Sequence, residues 1–139
     1  MTEVTDSLLE AFGRLMPQLS PRLEAPSGER LRAVAANPSA ALFTAESGGA
    51  VVGALTLVWY DVPSGRKAWI EDVAVDAEVR GTGAGRALVA AALEHAAGVG
   101  AGEVLLTSNP AREAARALYR KMGFEEAATA VFAIKTDAE

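Results

Sequence analysis

The residues able to do chemistry concentrate around one stretch, Val73-Ala74-Val75-Asp76-Ala77-Glu78-Val79-Arg80-Gly81-Thr82-Gly83-Ala84-Gly85-Arg86. It reads as a buried strand that runs into a glycine-rich loop, and the loop opens a helix. Such a loop turns backbone N–H groups toward one point, and the helix N-terminus adds roughly half a positive charge there. Together they form an anion site suited to a phosphate. Glycine is needed because a Cβ would block close approach, and Arg80 and Arg86 flank the loop as sources of charge-assisted hydrogen bonds. Just upstream, Glu71 and Asp72 interrupt an otherwise apolar strand. An acid in a central strand costs energy unless it is paired or hydrated. Both are therefore candidates to bind a cation or to take a proton from an ammonium group. Adjacent strand residues point to opposite faces, so one of the two is expected to face a cleft, and a bulge would change which. Pairing with a nearby arginine explains them equally well.

A glycine-rich loop also serves as a plain packing turn, and two nucleotide motifs have to be weighed. In the dinucleotide pattern G-x-G-x-x-G, Gly81 and Gly83 fill two positions but Arg86 stands at the third, and the frame from Gly83 and Gly85 ends at Leu88. The dinucleotide fingerprint is thus incomplete. A phosphate loop of the G-K-[ST] kind is absent. The second distinctive stretch is Asn109-Pro110-Ala111-Arg112-Glu113-Ala114-Ala115-Arg116-Ala117-Leu118-Tyr119-Arg120-Lys121-Met122-Gly123-Phe124. Pro110 suits a first helical position, Asn109 an N-cap and Gly123 the position after a helix end.

The two stretches resemble the GNAT acetyltransferase family. Arg80, Gly83 and Gly85 match its [RQ]-x-x-G-x-[GA] pattern after a strand. The second stretch is similar to N-x-x-A-x-x-x-Y-x-x-x-G-F, with Ala114 or Ala115 at the alanine position. The resemblance extends over nearly the whole chain in element order. It implies an acetyl-CoA-dependent N-acetyltransferase. The backbone of Gly81, Thr82, Gly83, Ala84, Gly85 and Arg86 would hold the CoA pyrophosphate, and Val73, Ala74 and Val75 would pair with the pantetheine arm as an added strand. Asn109 would contact the pantetheine besides capping its helix. Tyr119 would protonate the leaving thiolate, for which a phenol is a fitting acid; the plain alternative is an aromatic packed on the sheet. Ile70-Glu71-Asp72-Val73 resembles the glucosamine-6-phosphate acetyltransferase branch, while other branches carry their acid where this chain has Trp69. A homodimer is common in the family.

Composition narrows the class. There is no cysteine and a single histidine, His95, so thiolate zinc sites, His-based metal clusters and cysteine nucleophiles are excluded, and no metal is expected. His95 lies beside Glu94 on what reads as a solvated helix face. Arg112, Arg116, Arg120 and Lys121 read the same way. The net charge of −5 lacks the basic excess of a nucleic-acid binder. No apolar run approaches the ~20 residues of a membrane span. The acidic N-terminus, Met1–Glu10, is not a signal peptide, and a cytoplasmic enzyme is expected.

The elements that must position these residues follow from periodicity. A helix starts after Thr5 or Asp6, with Leu8, Leu9, Phe12, Leu15 and Met16 apolar, and ends at Pro17 and Pro21. A second helix spans about Gly28–Ala36, with Ser27 as its N-cap and Asn37-Pro38 as its stop, and Ser47-Gly48-Gly49 is turn chemistry. Strands are expected at Ala41–Glu46, Val51–Tyr60 and Ala68–Val75, then a helix at Gly83–Ala97, a strand at Val104–Thr107, a helix from Pro110, and two strands within Phe124–Thr136. This order gives a single α/β domain over residues 1–139, a GNAT fold with a mixed central sheet of about six to seven strands and about four helices. Phe12, Trp59 and Tyr60 are open between core, rim and acceptor pocket. Two competing readings are a catalytically inactive acetyl-CoA-binding sensor or interaction module, and a nucleotide-binding protein. Neither the acceptor amine nor the choice between Glu71 and Asp72 as base follows from sequence.

Overall fold

The computed structural model describes residues 3–20, 24–79, 81–108 and 112–138. The chain divides into two compact units, Met1–Thr107 and Ser108–Glu139. The first contains α1 (Asp6–Leu19), α2 (Gly28–Ala36), β1 (Ala40–Ser47), β2 (Ala50–Val62), β3 (Gly65–Val75), a 3-10 turn (Ala77–Val79), α3 (Ala84–Gly98) and β4 (Glu103–Leu105). The second contains α4 (Glu113–Lys121). No described helix is long and apolar enough to cross a membrane.

The sheet has the order β1-β2-β3-β4. Antiparallel pairs join β1 to β2 and β2 to β3, while β4 runs parallel to β3, so the sheet is mixed as expected. The β1–β2 turn closes over Gly48 and Gly49, at φ +59° and +83°. Two successive positive φ values are what a tight hairpin with native twist requires. One face of the sheet is covered by α1. Its stripe of Leu8, Ala11, Phe12, Leu15 and Met16 packs with Leu31 of α2 on Val51, Ala54 and Ala74. On the other face α3 approaches so closely that a Cβ on Gly53 would lie 3.0 Å from Leu88 Cδ1 and 3.3 Å from the Ala74 carbonyl. Gly53 is there for the space it leaves. Phe12 is thereby assigned to the core, at 5% exposure.

The capping chemistry is largely as read. Thr5 and Ser27 accept from the N–H groups of Leu8 and Arg30, both at 3.1 Å. Four features differ from the sequence reading. α1 runs through Pro17 to Leu19, and Ser20 N–H still reaches the Met16 carbonyl at 3.2 Å. A proline this near the end removes one helical bond and breaks nothing after it. β2 and β3 extend to a tight turn at Pro63-Ser64, pairing Val62 with Gly65. α4 starts at Glu113, because Arg112 has the non-helical dihedrals φ −92°, ψ 69°. Last, the sheet has four strands among the described residues, and the segment after Gly123 contributes none. A strand exists through its ladder partner, and an apolar alternation such as Val131, Phe132 and Ile134 supplies none by itself; these side chains are 70%, 94% and 90% exposed.

Leu15 is fully buried between α1 and the sheet. Leu15→Ala is expected to destabilise the fold by about 2–5 kcal/mol, read as a lower urea midpoint at unchanged slope. A loss below half a kilocalorie would mean that α1 does not anchor this face.

Candidate active site

The site is built from β3. Opposite β2, the register passes from Ala54↔Ala74 to Thr56↔Glu71. Asp72 and Val73 therefore stand against Leu55 alone, which is a β-bulge. Asp72 adopts φ +50°, the one described non-glycine residue with positive φ. Aspartate tolerates this left-handed conformation better than most residues, though at a cost. The bulge interrupts the strand alternation on which the expectation of one acid facing a cleft rests. Glu71 and Asp72 are both exposed, and neither forms an ion pair among the described residues. Partial burial of the Glu71 carboxyl, together with the charge of Asp72 beside it, raises the Glu71 pKa above its ordinary value. The arginine partner that would have explained these acids structurally is not seen among the described residues.

The other edge of β3 matters as much. Its pairing with β4 covers Lys67↔Glu103, Ala68↔Val104 and Trp69↔Leu105, and stops there. Beyond Trp69, β3 continues to Val75 and, among the described residues, pairs on the β2 side only. The backbone of Val73, Ala74 and Val75 thus adjoins an open edge, the condition for adding an extended ligand as a strand.

After β3 the chain turns through a loop held from several sides. Asp76 Oδ1 accepts from Glu78 N–H at 3.2 Å. Thr82 donates through its hydroxyl to the Val79 carbonyl at 2.6 Å. From α1, Gln18 Oε1 accepts from Ala77 N–H at 2.8 Å. Arg14 donates to Asp76 Oδ2 at 2.9 Å and to the Val51 carbonyl at 3.1 Å. Gly81 and Gly83 have φ +87° and +91°, and Gly83 is the α3 N-cap with no side-chain cap. The first intrahelical bond runs from Ala87 N–H to the Gly83 carbonyl, at 2.9 Å. The N–H groups of Ala84, Gly85 and Arg86 precede it and have no acceptor within the helix. No acidic residue occupies this first turn. Uncapped donors without a competing carboxylate are suited to an anion. Arg86 is exposed beside them. Arg80 and Asn109 lie outside the described residues. A cavity of ≈ 490 Å³ adjoins the loop between β1 and α3, with Phe43, Val52, Thr82, Gly83 and Leu88 in its lining. Neither acid lines it.

In the C-terminal unit, Tyr119 is 6% exposed. Desolvation raises its pKa, partly offset by the Arg112 charge, so the phenol keeps its proton through the neutral range. The spacing of Tyr119, Gly123 and Phe124 has a local cause. Gly123 N–H bonds the Arg120 carbonyl at 3.1 Å, and Phe124 N–H bonds the Tyr119 carbonyl at 3.0 Å. With Gly123 at φ +101°, this is a Schellman helix end. Its hydrophobic contact is the edge-on pair Tyr119–Phe124, with centroids 5.9 Å apart. The motif therefore fixes the tyrosine ring through the helix C-cap. Ser108, one residue before Asn109, has a buried hydroxyl without a hydrogen-bond partner among the described residues.

Trp59 and Tyr60, open in sequence between core, rim and acceptor pocket, lie on opposite faces of β2. The Trp59 ring lies 5.2 Å from that of His95, which also meets Phe43 edge-on at 5.7 Å. His95 is exposed as read, but one side of its ring packs on these aromatics. Tyr60 lies on the opposite face, where its hydroxyl accepts from the Trp69 indole N–H at 2.8 Å. Trp69 and Arg14 carried no motif, and only strand register and tertiary contacts reveal them.

The bulge gives a sharp test. Asp72→Gly is expected to leave stability unchanged or higher, whereas Asp72→Val should cost about 1–2 kcal/mol because a β-branched residue resists positive φ. Equal losses in urea titrations of both variants would contradict a backbone role for this position.

Comparison with known proteins agrees with the geometry. The sequence profile of the Acetyltransferase (GNAT) family matches residues 3–124. The mycothiol acetyltransferase of Kocuria rhizophila is 49% identical over 53 residues, which is 38% of this chain and 18% of that enzyme. The match thus spans less than a fifth of that curated relative. A provisionally assigned acetyltransferase of Agrobacterium tumefaciens str. C58 superposes with TM-score 0.83 at 27% identity, covering 97% of this chain and 98% of its own. A transcriptional regulator of Bacillus halodurans C-125 gives TM-score 0.81 at 25% identity, with 97% of each chain covered. With a profile match over most of its length, and with the uncapped glycine loop and open β3 edge in place, the chain belongs to the GNAT acetyltransferase family.

Proposed function

We propose that residues 1–139 form one transferase domain that moves the acetyl group of acetyl-CoA to a primary amine of a small molecule or peptide. The observation that carries this reading is the continuity of the open β3 edge at Val73–Val75 with the uncapped N–H groups of Ala84, Gly85 and Arg86. An extended arm ending in a pyrophosphate suits that arrangement. The arm takes the strand edge and the phosphates take the loop, with Arg80 and Arg86 adding charge. Asn109 contributes to the arm's contacts in this reading.

Transfer is direct. The raised pKa of Glu71 makes it a better proton acceptor than an ordinary surface carboxylate. It takes the proton of the ammonium, directly or through water, while Asp72 keeps the local field favourable to a cation. The free amine attacks the thioester carbonyl. Backbone N–H groups at the β3 edge stabilise the developing oxyanion. Tyr119, still protonated at neutral pH, gives its proton to the departing thiolate. Much of the acceleration comes from alignment of the two substrates. A cytoplasmic homodimer completes the reading.

Two measurements of CoA thiol release test these roles. Tyr119→Phe should lower kcat about 100-fold or more with little change in acetyl-CoA affinity; an unchanged kcat removes Tyr119 as the acid. Because Glu71 acts deprotonated, kcat/KM should fall as pH drops, with a midpoint above the ordinary glutamate value near ~4.3. Asp72→Asn should shift that limb to lower pH, since removing the neighbouring charge makes Glu71 easier to ionise. Glu71→Gln should abolish the limb. A limb that neither substitution moves excludes Glu71 as the base.

A further inference from the structure

Within the proposed transferase reading, the open part of one sheet face defines what the amine is attached to. Residues directly opposite in an antiparallel pair share a face. By the register, Glu71 stands against Thr56, Trp69 against Val58, and Lys67 against Tyr60. Along β3 this face therefore presents an anion, an aromatic ring and a cation, each one strand step of ~6.8 Å from the next. The core on the same face ends at Ala54 and Ala74, where α1 packs. Beyond it Trp69 is half-buried and Tyr60 is 42% exposed.

The Trp69 indole N–H, its only polar atom, is already bonded to the Tyr60 hydroxyl at 2.8 Å. That bond fixes the ring and leaves it nothing polar to offer, so an apolar contact is what remains. We propose that Trp69, held by Tyr60, is the specificity wall of the acceptor site, and that the acceptor is a primary amine on a short linker ending in an aromatic ring. The ammonium meets Glu71 and Asp72, and the ring packs on Trp69 one strand step away. Aromatic pairs gain from offset or edge-on packing beyond the area they bury. Lys67 at the next step opposes a second ammonium, which disfavours diamines. An amino sugar would need polar partners one strand step from Glu71, where β3 presents the Trp69 ring.

The two tryptophans of the chain make the test direct. In ¹⁵N-labelled protein they give two indole N–H signals, assigned with Trp69→Phe. Titration with 2-phenylethylamine should move the Trp69 signal and saturate at about ten-fold lower concentration than n-butylamine or cadaverine. Trp59, on the opposite face, should not respond. Followed on the backbone ¹⁵N–H signals of Glu71 and Asp72, which every variant retains, Trp69→Ala and Tyr60→Phe should shrink the aryl-over-alkyl ratio, and Trp69→Phe should retain most of it; a merely structural role would weaken all three amines alike. Equal saturation by the three amines in the wild-type protein, or a Trp69 signal that stays still, overturns the proposal. Thiol release from acetyl-CoA is followed on the same samples. Selective aryl binding without thiol release upholds the wall and contradicts the transferase reading instead.

Discussion

Past Trp69, β3 is paired on one side only among the described residues. Its ladder with β4 ends at Leu105, while its ladder with β2 continues to Val75. An unpaired edge inside a domain is costly unless something satisfies it, and the features around the candidate site read as ways of keeping that edge open and aimed. The bulge at Asp72 absorbs a residue, so Ala74 returns to the α1 core although Glu71, three positions earlier, lies on the same face. Without that phase change, Ala74 and Glu71 would lie on opposite faces of the sheet.

The loop that follows inherits its position from α1. Arg14 and Gln18, one turn apart, reach Asp76, the Val51 carbonyl and Ala77 N–H. The helix that fills one face of the sheet also sets where the glycine loop starts. The other face sets where it ends, since Gly53 lets α3 sit close and brings its uncapped N-terminus to the end of β3. The loop glycines themselves have open space around them, so their requirement is conformational at Gly81 and Gly83, and access for a ligand is a consequence.

Much of this was legible in the sequence, and the boundary of what was legible has physical causes. Caps and turns act over a few residues, so Thr5, Ser27, Gly48-Gly49 and Gly123 could be read directly. The glycine loop and the Tyr119-to-Phe124 spacing carried the family resemblance because they encode local backbone geometry. The bulge was foreseen only as an option: a left-handed Asp72 leaves no composition signal, and both acids face solvent as a result. Contacts distant in sequence, such as Arg14 with Asp76 and Tyr60 with Trp69, depend on strand register and were not readable. The two strands expected after Phe124 need ladder partners, and residue types such as Val131, Phe132 and Ile134 say nothing of those. Propensity sets the start of α4 at Pro110, whereas the dihedrals of Arg112 delay it to Glu113.

The central claim is that the β3 edge and the glycine loop together hold acetyl-CoA. Thermal unfolding with and without acetyl-CoA, with ATP and NAD as controls, addresses it most directly. Ligand at ~100 times its dissociation constant should stabilise the protein by about 2.7 kcal/mol, with acetyl-CoA alone among the three raising the midpoint. No shift at millimolar acetyl-CoA, or an equal shift with ATP and NAD, would contradict the account and return the glycine loop to a packing turn or a general phosphate site.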